Sequence, residues 1–352
     1  MFPTIAINNR LIGRDHPAYI IAELSANHGG DFDTAVRLVE AAAQAGANAV
    51  KLQTYTADTM TLRSDAQQFR HGSSSLWAHK TLYDLYVEAA TPWEWQPKLK
   101  DIATALGLDL FSSPFDASAV DFLESMAVPA YKIASFEIID IPLLKHVAAT
   151  GKPVIVSTGM ATIAEIDEAV QALRTGGANN IALLKCVSAY PAAPEDMNLA
   201  TITHMGDMFQ CPVGLSDHSL SLAVPISAVA LGGCIIEKHL TLSRNRSTPD
   251  ARFSLEPEEF AAMVREVRIV ENAIGYIHYG VTTTELESLG FRRSLYVTKD
   301  LQAGDRLENS NCRSIRPGGG LLPKYLDLVL GKKIKRGIQA GTPLSWDMLL
   351  MD

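Results

Sequence analysis

Short apolar runs alternate with stretches of helical periodicity from the start of the chain to about residue 276. The strand segments are "YIIAEL", "AVKLQ", "LDLFSS", "AYKIAS", "PVIVST", "IALLKCV", "PVGLSD" and "CIIEKHLTL". They are near-continuous in apolar character rather than alternating, as parallel strands buried on both faces should be. Between them, "DTAVRLVEAAAQAG" and "TIAEIDEAVQALRTGG" repeat apolar residues near i, i+3, i+4 and i+7. Each starts on Asp or Thr and ends on Gly, the capping chemistry of a helix. Eight such strand–helix units over about 275 residues predict an α/β protein with a (β/α)8 TIM barrel. A doubly wound open sheet is the alternative. It would use fewer strands and a GxGxxG turn, whereas the first strand here leads into "SANHGG".

After Gly275 the pattern changes to short strands and glycine turns in "RRSLYVTKDLQAGDRL", "CRSIRPGGGLLP" and "VLGKKIKRGIQAGTPLSWDML". The predicted organisation is a barrel over residues 1–277, a linker over 278–290 and a small β-rich domain over 291–352. So small a unit has a thin core and is expected to dock on something. The polar stretch "TYTADTMTLRSDAQQFRHGSSSLWAHK" after the second strand is too long for a tight βα loop. It is expected to be a lid or a substrate-binding excursion. The stretch "TLYDLYVEAATPWEWQPKLKDIATALG" then reads as two helices meeting at Pro92, with Tyr83, Tyr86, Trp93 and Trp95 as packing residues.

Composition narrows the class. With 352 residues, 47% apolar and 20% charged, this is the make-up of a soluble globular protein. A net charge of -8 argues against nucleic acid as partner, and the basic run "GKKIKRG" reads as a solvated strand face. Cys186, Cys211, Cys234 and Cys312 form no CxxC pair and are expected to be buried reduced thiols. The opening residues lack the basic and apolar regions of a signal peptide. The longest apolar stretch is broken by Pro225 and Gly232, so no membrane partner and a cytoplasmic location are expected.

In a barrel the reacting groups stand at the C-terminal ends of the strands. Those ends carry Glu23 with Asn27 and His28; Lys51 and Gln53; Ser112 and Ser113; Lys132, Ser135 and Glu137; Ser157; Ser188 and Tyr190; Ser216 and His218; and Glu237, Lys238 and His239. Polar strand ends are ordinary, because loops begin there. Lys51, Lys132, Glu237 and Lys238, however, sit inside or at the edge of apolar runs, where a charge needs a partner. Lysines and hydroxyls suit a phosphate or carboxylate. Two histidines on adjacent strands suit a divalent metal, although a histidine at a strand end is also an ordinary hydrogen-bonding residue.

The segments "IIAELSANHGG", "AVKLQTYTADTMTL", "FSSPFD", "YKIASFEI", "VSTGM", "GLSDHS", "IEKHLTLS" and "RPGGG" resemble, in order, the motif set of the sialic acid synthase family. Within it, "TLYDLYVEAATPWEW", "YKIASFEIIDIPLLK" and "SLEPEEF" are most similar to the pseudaminic acid branch. The resemblance implies a TIM barrel followed by a C-terminal SAF (type III antifreeze-like) domain, and a domain-swapped homodimer. It implies the condensation of phosphoenolpyruvate with an N-acetylated amino sugar, here 2,4-diacetamido-2,4,6-trideoxy-L-altrose, with release of phosphate. His218 and His239 would hold a divalent metal, Mn2+ first, with Mg2+ or Co2+ as alternatives, and Glu23 would be the acid/base. Lys51, Ser113, Lys132, Ser135, Ser157, Ser188 and Ser216 would bind phosphoenolpyruvate. Gln53, Glu137, Tyr190 and Asp250 would read the sugar, with Arg316 reaching in from the partner. Two departures stand out. The loop "SRNRSTPDARFSLEP" lacks the glycines usual before this Asp, and Ser188 stands where sialic acid enzymes tend to carry Asn.

Related synthases that make N-acetylneuraminate or legionaminate would run the same chemistry on another sugar. Two other classes remain: a Schiff-base aldolase with Lys132 or Lys238 as nucleophile, and a non-catalytic sugar-binding barrel.

Overall fold

A computed structural model describes residues 3–350 except 71, 73–76, 78 and 79. The chain divides into two compact units at Gly275/Tyr276. In the first, a hairpin of β1 (Thr4–Ile7) and β2 (Arg10–Gly13) precedes the barrel. The barrel strands are β3 (Tyr19–Glu23), β4 (Ala49–Thr54), β5 (Asp109–Pro114), β6 (Tyr131–Ile133), β7 (Val154–Ser157), β8 (Ile181–Cys186), β9 (Val213–Asp217) and β10 (Ile235–His239). They pair in parallel and in chain order, and β10 closes on β3 to complete the ring. All eight predicted strand segments are strands. The hairpin is an element that the apolar pattern did not predict. Its Ile5, Ile7 and Ile12 are buried in the barrel's core, and Asn8 donates a hydrogen bond to Asp109 at the first residue of β5, so it lies at the N-terminal end of the barrel, away from the strand ends that carry the charged groups.

The helices form where the caps predict. Asp31, Asp116, Asp140 and Thr162 accept hydrogen bonds from the first turns of α1 (Phe32–Gln44), α5 (Ala117–Ser125), α6 (Ile141–Ala148) and α7 (Ile163–Thr175). Between α1 and α5 lie α2 (Ala57–Met60), α3 (Leu82–Ala89) and α4 (Gln96–Ala105), the last two meeting around Pro92 as expected. After them come α8 (Thr201–Phe209), α9 (Ala223–Ala230) and α10 (Pro257–Ile274). No helix among the described residues is long and apolar enough to cross a membrane.

Strands buried on both faces still alternate in direction. On β9 and the residue after it, Ser216 and His218 face inward while Asp217 faces outward. On β10, Glu237 and His239 face inward while Lys238 faces outward. Asp217 and Lys238 are register partners and form an outward ion pair, Nζ to Oδ2 2.5 Å, with neither side chain exposed. Gly214 lets these two strands meet beneath the histidines, because a Cβ there would stand 2.1 Å from the Ile235 carbonyl oxygen.

The second unit is β-rich, with β11 (Ser294–Val297) antiparallel to β12 (Cys312–Ile315). Leu295, Val297, Leu307, Val329, Ile334, Leu344 and Leu349 form its core and are fully buried. In "GKKIKRG", Ile334 is buried while Lys333, Lys335 and Arg336 are exposed; the basic face is solvated as expected, but it is carried by isolated bridges at Lys333 and Ile334 rather than by a strand. All four cysteines are free and buried.

Candidate active site

The C-terminal ends of the strands open into a cavity of about 420 Å³. Its polar lining comes from seven barrel strands and the loops after them: Ser25, Lys51 and Gln53, Lys132 with Ser135 and Glu137, Ser157, Cys186 and Tyr190, Ser216 and His218, and Glu237 and His239 with Asp250. Lys51 Nζ lies 2.7 Å from Glu23 Oε2 and 3.0 Å from Glu237 Oε1. Lys132 Nζ lies 3.8 Å from Glu237 Oε2 and donates to Ser157 Oγ at 2.6 Å and to its neighbour's carbonyl, Ile133 O, at 2.9 Å. All four charged side chains are at most 5% exposed.

Burial sets their protonation. It pushes Lys132 down to about 8, which the nearby Glu237 only partly offsets. Burial also raises the Glu23 carboxyl, against the pull of Lys51 and helped by Glu237. For Glu237 the two lysines outweigh burial and hold it below the ordinary carboxylate range. The cluster therefore offers one firm carboxylate, one that holds its proton more tightly, one firm cation and one lysine near its titration point. An arriving anion would find two buried lysine ammonium groups in the cavity lining.

The histidine rings lie 5.3 Å apart between centroids. The His218 Nδ1–H donates to Val187 O at 2.8 Å, so Nε2 is the nitrogen left for a ligand. His239 Nδ1 is buried with no hydrogen-bond partner. Burial, with the nearby cations, holds His239 well below the usual imidazole pKa, so that it is neutral. Burial also works against His218, but the Cys186 thiol and the Val187 carbonyl raise it above its ordinary value. Two close imidazoles, one with an orphaned nitrogen, fit a metal-binding pair; proton loss from His218 would accompany binding. Among the described residues no group of three or more His, Cys, Asp or Glu is arranged for a metal, so further positions would fall to water and substrate.

Around this centre, Tyr190 packs 4.5 Å from the His218 ring and 5.1 Å from Phe253. Asp250 accepts a short hydrogen bond from Ser25, and burial raises its pKa. Burial likewise raises Glu137 to about 7, and its Oε2 has no partner. Gly159 N–H donates to Ser135 Oγ at 3.0 Å. A Cβ on Gly159 would stand 2.4 Å from Ser188 Oγ and 2.7 Å from Ser135 Oγ, so any other residue there would have to push these two hydroxyls out of place.

Residues 38–279 match the NeuB family and residues 292–350 the SAF domain. The chain is 43% identical to a pseudaminic acid synthase of Helicobacter pylori, over 94% of this chain and 97% of that protein. The chain belongs to the NeuB family. An N,N'-diacetyllegionaminic acid synthase of Legionella pneumophila is 34% identical to this chain over 95% of each. Among solved structures, N-acetylneuraminic acid synthetase from Leptospira borgpetersenii superposes with a TM-score of 0.73 at 33% identity, covering 82% of this chain and 96% of that one. The spore coat polysaccharide biosynthesis protein SpsE from Bacillus subtilis gives a TM-score of 0.67 at 34% identity, over 99% of each. The barrel followed by a small β-rich SAF region is thus the architecture of this NeuB-family chain.

Most residues proposed from the sequence converge on the cavity, and the loop that lacks the usual glycines still delivers Asp250 to it. Four of them stand differently. Glu23 is fully buried behind Lys51 and Gln53 rather than in the wall; Gln53 Nε2 donates to its Oε1 at 3.2 Å. Ser113 is likewise reached through Lys51, whose Nζ is 3.4 Å from its Oγ. Ser188 lies behind Ser135 and Gly159. Arg316 belongs to the second unit and is exposed on it.

Other strand-end groups serve the scaffold. Asn27 Nδ2 donates to Leu240 O and Ser254 Oγ, His28 meets Thr91 and Trp95, and Ser112 bonds Thr54. Lys238 turns away from the cavity, so of the two lysines considered as Schiff-base nucleophiles Lys132 alone lines it. Three of the four aromatics pack as expected: Trp93 on Phe122, Trp95 on His28 and Phe32, and Tyr83 under Arg63. Tyr86 departs from expectation and lines the cavity. From the excursion after β4, Tyr55, Met60 and Trp77 line it too; residues 71, 73–76, 78 and 79 of that excursion lie outside the described ones. Glu237 was visible as a charge in an apolar run but was not among the predicted site residues.

Proposed function

We propose that this chain condenses phosphoenolpyruvate with 2,4-diacetamido-2,4,6-trideoxy-L-altrose to give pseudaminic acid and phosphate. The observation that carries the reading is the buried Lys51–Lys132 pair facing a cavity that also holds a histidine pair. Phosphoenolpyruvate carries about three negative charges at neutral pH, and such an anion leaves water only for fixed cations and donors. Lys51 and Lys132, with Ser113, Ser135, Ser157, Ser188 and Ser216, would hold its phosphate and carboxylate. Gln53, Glu137, Tyr190 and Asp250 would position the sugar.

In the reaction, C3 of phosphoenolpyruvate bonds to the aldehyde carbon, and the aldehyde oxygen takes a proton to become a hydroxyl. Water adds to the electron-poor C2 and loses a proton. The bond between C2 and the phosphate oxygen then breaks as the C2 hydroxyl passes its proton to the departing phosphate, which releases hydrogen phosphate and leaves a C2 ketone. One proton is delivered and one removed, and Glu23 would serve both steps, its raised pKa keeping it able to donate. Access to Glu23 requires Lys51 to turn toward the anion. Glu237 would keep the two ammonium groups at fixed separation. His218 and His239 would hold a divalent metal, Mn2+ first, with Mg2+ and Co2+ as alternatives; when bound it would polarise the sugar's carbonyl.

A domain-swapped dimer belongs to the same proposal, with Arg316 of one copy completing the site of the other. Tyr276, Ile277 and Tyr279 are 82%, 90% and 94% exposed, an apolar surface of the kind a second copy would cover. Sedimentation would show a dimer, and a monomer would remove Arg316 from the site.

The test is turnover with three sugars in parallel: the L-altrose derivative, N-acetylmannosamine and the legionaminate precursor. The expected product, identified by mass and NMR, forms with the first. Preference for either other sugar would keep the chemistry and overturn the choice of substrate.

A further inference from the structure

The cavity has a second chemical face, distinct from its charged floor. Tyr55, Met60, Leu85, Tyr86, Ala89 and Phe115 form an uncharged wall. The Tyr55 ring meets Tyr86 edge-on at 5.7 Å and Phe115 at 5.2 Å. Leu85, Tyr86 and Ala89 share one face of α3, which the Thr81 side chain fixes by accepting from Asp84 N at 3.1 Å. The other face of that helix is solvated: Val87 is 58% exposed, while Leu85 is 6% exposed. The direction of the wall is thus built into the helix. Tyr83 is tied away from it, donating to Asp58 Oδ1 at 3.1 Å.

Beyond the phenol hydroxyls of Tyr55 and Tyr86 this surface has no side-chain hydrogen-bonding group, so a sugar hydroxyl pressed against its aliphatic and ring-face parts loses its water and finds few partners. A methyl group gains by the same burial. We infer that this wall is the specificity element of the site, reading the methyl-bearing edge of an N-acetylated deoxy sugar and discriminating against hydroxylated analogues. The inference rests on the proposed condensation, whose sugar carries one methyl at C6 and one on each acetamido group.

The experiment compares the L-altrose substrate with two analogues, one with CH2OH in place of the C6 methyl and one with N-formyl in place of N-acetyl. For each enzyme the readout is the ratio of kcat/KM between sugars on a single preparation, which cancels any loss of folded protein. The wild type is expected to favour the parent sugar over one analogue by about tenfold to a hundredfold, and that analogue identifies the methyl being read. In Leu85→Asn and in Ala89→Ser, which give the wall a hydrogen-bonding group, the ratio should fall to about threefold or less. The inference is overturned if neither analogue is discriminated, or if the wild-type ratio survives in both variants. Absence of turnover with every sugar is a separate result; it would refute the condensation itself and this inference with it.

Discussion

Replacing Lys51 with Met probes the charge balance under the cavity. Its Nζ stands within 3.0 Å of two carboxylates, Glu23 and Glu237, whose side chains are 0% and 4% exposed. Methionine keeps the bulk of the side chain but leaves those carboxylates without the nearer of their two cations. Breaking a buried ion pair by removing one partner costs about 3–5 kcal/mol, because the remaining charge stays desolvated. In a large domain this lowers Tm by about 6–20 °C. The cost must depend on pH. Without Lys51, both carboxyls would have folded-state pKa values above their unfolded ones, so the folded variant would bind protons that the unfolded chain releases. Its stability deficit should be largest near pH 8 and shrink toward pH 5 as the carboxyls protonate. Thermal and urea melts of wild type, Lys51→Met and the double variant with Glu237→Gln would measure this, the double variant recovering part of the loss. A single variant within about 2 °C of wild type at pH 8, or a deficit that grows on acidification, would refute the reasoning.

Gly159→Ala would displace the Ser135 and Ser188 hydroxyls, because its Cβ would stand 2.7 and 2.4 Å from them; steady-state kinetics should show KM for phosphoenolpyruvate raised about tenfold or more. Burial holds Lys132 at about 8, and an anion beside it raises that value. Calorimetry in buffers of different ionisation heat should therefore find proton uptake on phosphoenolpyruvate binding that increases from pH 7 to pH 9, and a flat profile would contradict the assignment of Lys132. Lys238→Met breaks the fully buried pair with Asp217 outside the cavity; it should lower Tm comparably to Lys51→Met while the KM values of the remaining folded enzyme stay near wild type.

The barrel was legible because its strands are apolar runs of three to six residues separated by capped helices, a pattern that local chemistry imposes. Lys51 and Lys132 were legible for a related reason: a cation inside such a run is costly and must be there for a partner. What the pattern could not supply was direction. When both faces of a strand are buried, alternation disappears from the sequence, and nothing in "IIEKHL" says that Glu237 turns inward and Lys238 outward. The same ambiguity hid Ser112 from Ser113. Depth was also illegible, since Glu23 and Lys51 read alike as strand-end charges although one covers the other. The apolar wall was missed because Tyr86 and Leu85 look like core residues of an amphipathic helix, and only the cavity behind them gives them another use. The hairpin β1–β2 was missed because its four-residue strands belong to no strand–helix unit, whereas the similarly short β6 and β7 are marked by the helices on either side.

The most direct test is the fate of phosphate. Metal-replete enzyme mixed with phosphoenolpyruvate and the L-altrose derivative should release one phosphate per nonulosonate formed, and chelation should stop the reaction until Mn2+ is restored. Pyruvate should not replace phosphoenolpyruvate, and borohydride should trap no lysine adduct. Product formed from pyruvate with a trapped Lys132 would make the protein a Schiff-base aldolase, and binding without phosphate release would make it a sugar-binding barrel.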